Sequence, residues 1–326
     1  MADERREQRR VRERRRARRQ RLLLAAALLA LALLTVVLLS RCGKKDSPEP
    51  PADNPAETDV TPELPAGWER RAAAPSELRE AALMLVNREH GYDASLQPTV
   101  SVLENKTDSY LVRDRTVALR RDAMEALNRW LDDFAAATGK ADVNVVAGWR
   151  SYEDQEALYR NAVAEQGQAY ADAYLALPGC SEHHTGLAVD LDTYDEWTGV
   201  SGGFDGGGSY TWAVDHAWEY GFVQRYPLDK VAITGIDYES WHFRYVGLPH
   251  AYVMHRDNLC LEEYIDYLQG HTFSGEHLRV SCLGRSYEIY TCPADDLILP
   301  SDDPCTVSPD NVSGFVVTVD RTPSAG

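Results

Sequence analysis

Two short runs about fifty residues apart constrain this 326-residue chain more than any other feature of it. The first reads Cys180-Ser181-Glu182-His183-His184-Thr185-Gly186-Leu187-Ala188-Val189-Asp190-Leu191-Asp192. The second reads Asp237-Tyr238-Glu239-Ser240-Trp241-His242-Phe243-Arg244-Tyr245-Val246-Gly247. Together they offer two imidazoles, a carboxylate seven residues after one of them and a Glu three residues before the other. A catalytic zinc site typically takes three nitrogen or oxygen ligands and keeps a fourth position for water. That water also needs a carboxylate to receive its proton. A chain that uses these residues together must fold so that two distant segments lie side by side.

The first run alternates as a strand does. Leu187, Val189 and Leu191 share one face, and Gly186, Ala188, Asp190 and Asp192 the other. The small residues leave room beside Asp190, and the apolar ones are expected to pack behind it. Glu239 and His242 stand three apart, a spacing that a helix-like turn or tight loop would bring to one side.

The pattern Ser181-x-His183-x-x-Gly186-x-Ala188-x-Asp190, followed by Glu239-x-x-His242, resembles the zinc D-Ala-D-Ala carboxypeptidases of peptidase family M15, VanY-like and LdcB-like. The resemblance covers residues 77–260 or so. It implies the α+β fold of that family, an antiparallel sheet with flanking helices, and one Zn2+ per chain. It also implies that His183, Asp190 and His242 hold the zinc and that Glu239 is the general base. His184 stands at a position that is not a ligand in the family pattern.

Val143-Asn144-Val145-Val146-Ala147-Gly148-Trp149-Arg150-Ser151 reads as a buried strand leading into a turn, then a helix from about Tyr152 to Gln166. The family has a similar Gly-Tyr-Arg-Ser ending, with Trp149 here in the aromatic place. By that resemblance Arg150 holds the substrate carbonyl oxygen as charge grows on it, a task that suits a permanently charged, rigid guanidinium. Ser151, Gln155, Ser181 and Trp241 are the expected substrate-binding residues, with Trp241 and Tyr245 walling the pocket. Arg244 could tie carboxylates behind the ligands or serve as a plain ion pair.

The charge is unevenly spread. The chain carries −17 overall, yet the first 21 residues hold eleven Arg against four acidic residues. The body is therefore strongly acidic, which argues against a nucleic-acid partner. Leu22 to Ser40 is an almost unbroken Leu/Ala/Val segment, long enough to cross a hydrocarbon core of about 30 Å. With the basic side cytoplasmic, the expectation is a single-pass cell-membrane anchor, the catalytic body lying outside the cytoplasm. Arg41 stands before Cys42 where a lipoprotein cleavage box has a small residue. Residues 41–75 read as a linker: Pro, Asp, Glu and Ala abound and no apolar period appears.

Residues 76–268 are the expected catalytic domain, starting with Ser76 as a helix cap. Within it, 113–138 shows an amphipathic period stopped by Gly139. The run Gly202-Gly203-Phe204-Asp205-Gly206-Gly207-Gly208-Ser209 reads as a flexible connection. Residues 269–326 have the texture of a small β module of three or four strands. Five of the six cysteines lie well beyond the apolar span, and Cys180–Cys260 and Cys282–Cys292 are the pairings considered.

By the resemblance, the expected activity is removal of the terminal D-alanine from peptidoglycan stem peptides. An L,D-carboxypeptidase, a D,D-dipeptidase or a stem-peptide endopeptidase of the same fold are alternatives. So is a non-catalytic cell-wall-binding protein.

Overall fold

The computed structural model describes residues 63–103 and 106–323. The basic tail, the apolar span and the first part of the linker lie outside the described residues. Among the described residues no helix is long and apolar enough to cross a membrane.

The strands preceding and including the two runs are β1 (Trp68–Arg70), β2 (Val100–Val102), β3 (Leu111–Val112), β4 (Ala118–Arg120), β5 (Val143–Ala147), β6 (Ala188–Asp195), β7 (Val200–Gly203), β8 (Phe222–Tyr226) and β9 (Glu239–Tyr245). The C-terminal part adds β10 (Leu278–Cys282), β11 (Arg285–Pro293), β12 (Ile298–Pro300), β13 (Cys305–Pro309) and β14 (Gly314–Asp320). The central sheet runs β3-β5-β6-β9-β8, with β7 also on β6. Only the β3–β5 pair in it is parallel. The expected α+β architecture, an antiparallel sheet with flanking helices, is present.

Alternation along β6 places its apolar residues as the sequence implies. Leu187, Val189 and Leu191 enter the main core, which the helix Arg121–Thr138 covers with Leu127, Trp130, Leu131 and Phe134. Trp130 is fully buried, stacks on Phe222 at 5.2 Å and donates its indole N–H to the Ala213 carbonyl. This helix starts at Arg121 rather than Arg113, because the preceding residues Ala118–Arg120 pair with β2 as β4. It ends where expected, with Gly139 at φ +73°.

Three other local expectations change. Residues 68–70, placed in the linker by composition, form β1 and pair with β12. Gly202 and Gly203, read as part of a connection, belong to β7 and pair with Thr193 and Asp192. The first helix spans Pro75–Arg79 with Ala74, not Ser76, at its cap; Glu77 there accepts from the Ala74 N–H at 2.6 Å.

The C-terminal segment forms a four-stranded sheet, β10-β11-β14-β13. Its residues Leu278, Val280, Ile289 and Val316 share one core with Leu83, Leu85, Val246, Met254 and Leu261. The β module is thus packed into the body it follows. The five described cysteines are all unpaired, so neither considered disulfide is formed. For Cys282–Cys292 the register gives the reason. Cys282 opposes Arg285 at the hairpin end, while Cys292 lies seven residues farther along β11, roughly 23 Å at strand rise.

Candidate active site

The β6–β9 register sets Asp190 directly opposite His242. His183 arrives from the one-turn 3-10 helix Glu182–Thr185, which Gly186 ends in a left-handed conformation, φ +71°. A side chain at Gly186 would also strike Val100, its ideal Cβ lying 2.7 Å from Cγ1. The chain thereby turns from the 3-10 helix straight into β6, and His183 faces the strand that follows it.

His183 Nε2 lies 3.2 Å from Asp190 Oδ2, and His242 Nδ1 lies 2.8 Å from Asp190 Oδ1. One ligand-type atom from each of His183, Asp190 and His242 falls within 4.8 Å of the others. The His183 tautomer is set by its other nitrogen, since Nδ1–H donates to the Gly148 carbonyl at 2.6 Å. Nε2 therefore presents a lone pair toward a carboxylate, an arrangement that a cation between them satisfies. The donor set of two imidazoles and one carboxylate, with the rest of the coordination sphere open, fits a catalytic divalent ion.

Gly148 makes this possible. Its ideal Cβ would stand 2.2 Å from the Ala118 carbonyl oxygen, so only glycine fits. The neighbouring Trp149 N–H donates to that same Ala118 oxygen at 2.6 Å.

Burial pushes Glu239 up to about 8, although His242 and Arg150 pull it down. Its Oε2 lies 3.8 Å from His242 Nδ1. The two side chains come together by a different route from the turn expected. Both lie in β9, where Gln224 opposes Phe243 and Tyr226 opposes Glu239, so β9 carries extra residues over that stretch. This bulge breaks the alternation that would otherwise send residues three apart to opposite faces.

Burial lowers the Arg150 guanidinium from its ordinary value, and Asp190 counteracts it. Arg150 Nη2 lies 3.8 Å from Asp190 Oδ2, and Nη1 donates to Gln155 Oε1 at 2.6 Å. Gln155 is buried and spends its amide N–H on the Ala176 carbonyl at 2.7 Å. It was expected to bind substrate; here both ends of its amide are engaged within the protein and it holds Arg150. Ser151, also expected on substrate, caps the helix Tyr152–Gln166 by accepting from the Asp154 N–H at 3.0 Å. Ser181 is buried just ahead of the ligand-bearing turn, and its carbonyl accepts from the His184 N–H at 3.1 Å. Trp241 and Tyr245, expected to wall the pocket, pack against the main core instead. The ring beside His242 is that of Tyr226, at 4.9 Å.

His184 has a structural use. Its Nε2 accepts from the Gly179 N–H at 3.1 Å, and Nδ1–H donates to the Arg150 carbonyl at 2.8 Å. Behind the ligands, Arg244 and Arg225 converge on the buried Glu182 at 2.9 and 2.8 Å. Arg225 also grips Glu262 through both terminal nitrogens, at 2.8 and 2.7 Å. Arg244 donates to the Ala82 and Met84 carbonyls at 3.0 Å each. The alternative that Arg244 ties a carboxylate behind the ligands is the one realised. Sequence reasoning missed Glu182, Arg225, Tyr226 and Glu262. Only Glu182 carried a signal, its place beside His183.

Comparison with known proteins agrees with this geometry. Residues 116–248 match the family profile described as VanY, D-alanyl-D-alanine carboxypeptidase. A D-alanyl-D-alanine carboxypeptidase of Enterococcus faecium is 34% identical over 216 residues, which span 65% of each chain. The bifunctional D-Ala-D-Ala dipeptidase and D-Ala-D-Ala carboxypeptidase VanXYC of Enterococcus gallinarum is 37% identical over 57% of this chain and 94% of its own length. The solved D,D-dipeptidase VanXYg, in complex with a D-Ala-D-Ala phosphinate analog, superposes with a TM-score of 0.68 at 30% identity, over 78% of this chain and 99% of that one.

Proposed function

The chain belongs to the VanY family of D-alanyl-D-alanine carboxypeptidases, and from that premise we propose that it removes the C-terminal D-alanine of peptidoglycan stem peptides by zinc-dependent hydrolysis. The observation that carries the reading is the convergence of His183, Asp190 and His242, with Glu239 and Arg150 both 3.8 Å from members of that trio.

His183, Asp190 and His242 would hold the zinc ion, which when bound would supply a Lewis acid to polarise the scissile carbonyl and acidify a water. Glu239 takes one proton from the attacking water as its oxygen adds to the carbonyl carbon before the terminal residue. The guanidinium of Arg150 faces the carbonyl oxygen as negative charge collects there, and Gln155 keeps it in place. Glu239 then passes the proton to the amine nitrogen as the carbon–nitrogen bond breaks and D-alanine leaves. Burial of Glu239 suits the first step, since a poorly hydrated carboxylate is a readier proton acceptor.

The test is incubation of the purified protein with pentapeptide and tetrapeptide stems, with and without a chelator, followed by mass analysis. The reading expects loss of one alanine from the pentapeptide only, abolished by chelation. Cleavage of the tetrapeptide instead would transfer the activity to an L,D bond.

The apolar segment Leu22–Ser40 and the basic tail before it support a single-pass anchor that leaves the catalytic body on the outer side. Membrane-bound protein of full size supports this placement, and recovery of only a shortened, soluble form contradicts it.

A further inference from the structure

We infer that Glu182 is a positioning residue for the zinc ligand His242, fixing the imidazole from the side opposite the ion. The inference rests on the reading of His242 as a ligand through Nδ1.

Glu182 lies at the first position of the 3-10 turn that carries His183, and its side chain is completely buried. One carboxylate oxygen, Oε1, is shared by Arg225 Nε at 2.8 Å and Arg244 Nη1 at 2.9 Å. The other, Oε2, has no hydrogen-bond partner. His242 Nε2 is likewise buried and without a partner. These two unmatched atoms face each other at 3.7 Å.

Their chemistry is complementary. If Nδ1 of a neutral imidazole gives its lone pair to an ion, the ring's proton must reside on Nε2. A buried N–H requires an acceptor, and Glu182 Oε2 is the oxygen at hand. A shift of under ~1 Å brings the pair to hydrogen-bond distance. Such a contact fixes the ring's orientation and makes Nδ1 a better donor to the metal. Arg225 holds Oε1 by a hydrogen bond, Arg244 Nη1 lies 2.9 Å from the same oxygen as an ion pair, and Oε2 is left 3.7 Å from His242 Nε2. Arg225 is itself held by Glu262 from the helix Leu261–Leu268. The zinc ligand is thereby braced from a helix outside both ligand-bearing runs.

The experiment measures zinc affinity by chelator competition on the full chain, for wild type, Glu182→Gln, Glu182→Asp and Glu262→Gln, with folding checked by circular dichroism. Glu182→Gln is expected to weaken zinc binding roughly 10–100-fold, the usual effect of losing a partner of a metal-bound histidine. Glu182→Asp keeps the charge for the arginines but withdraws the oxygen from His242, and should weaken binding as well. It decides the matter if the Gln variant does not fold. Glu262→Gln, which loosens Arg225 and leaves Glu182 Oε2 in place, should weaken zinc binding less than either Glu182 variant, and a loss as large as theirs would overturn the inference. In zinc-loaded wild type the His242 Nε2 proton should be visible by nitrogen-15 NMR as slowly exchanging, and should exchange fast in the folded Glu182 variant. Wild-type zinc affinity in either folded Glu182 variant overturns the inference. Failure of wild type itself to bind zinc would instead overturn the reading of the site.

Discussion

Asp190 and His242 face each other across the β6–β9 pair, with Asp190 Oδ1 2.8 Å from His242 Nδ1. A pairing register fixed by backbone hydrogen bonds thus delivers two of the three proposed metal ligands, and a slip of one residue would send Asp190 to the opposite face. The precision of the site comes from the sheet rather than from a loop.

Glu239 sits beside this trio without belonging to it. Glu239→Gln should keep one zinc per chain and lower kcat by roughly 10²–10⁴. Metal analysis paired with turnover of a pentapeptide stem checks it. Undiminished turnover in that variant would remove Glu239 from its role.

Arg150 is expected to act on the transition state more than on binding. Arg150→Ala should cost roughly 10²–10³ in kcat, with zinc content unchanged. Gln155→Ala releases Nη1 of Arg150 from its 2.6 Å contact and should show a smaller loss in the same direction. Steady-state kinetics of the two variants separates them: an effect confined to KM would contradict the assignment.

His250 gives the chain an acid limit of its own. It is fully buried between the Tyr264 hydroxyl and Thr318, and burial pushes it down to about 3 from its ordinary 6.5. Between those values the unfolded chain binds a proton that the folded chain refuses. Its stabilising contribution is therefore complete above pH 6.5 and falls as pH drops toward 3, by about 1.4 kcal/mol per unit. His250→Asn should make the decline of stability over that window shallower, as read from denaturant midpoints at several pH values.

Arg225 links two buried carboxylates, Glu182 and Glu262. Arg225→Ala takes the guanidinium from Glu262 and leaves Glu182 with Arg244 alone, and should destabilise the fold by about 3–5 kcal/mol. A change in the denaturation midpoint worth less than 1 kcal/mol or so would show that water replaces the guanidinium.

Legibility in the sequence followed the range of the forces involved. The strand character of residues 187–191, the helix Tyr152–Gln166 and the Gly139 stop were readable because side-chain period and capping act locally. The gathering of His183, Asp190 and His242, with Glu239 beside them, was readable through the family resemblance of the two runs, because metal and proton chemistry demand particular residue types. The β9 bulge was not, since it depends on what β8 offers opposite it. Nor was the turning of Trp241 to the core, or the employment of Gln155 on Arg150, because both are settled by neighbours far away in sequence. Glu182 and Arg225 were given no role from the sequence, since only the fold buries each against the other.

In the proposed reaction, residues from two separated runs act together on one ion. The most direct measurement is D-alanine release from a pentapeptide stem while zinc is titrated into chelator-stripped, correctly folded protein. Activity should rise in proportion to added zinc and level off at one equivalent in wild type, while His242→Ala, with its ligand set broken, should show no such plateau. Full activity in the stripped protein, or none at any zinc level in folded wild type, would contradict the account.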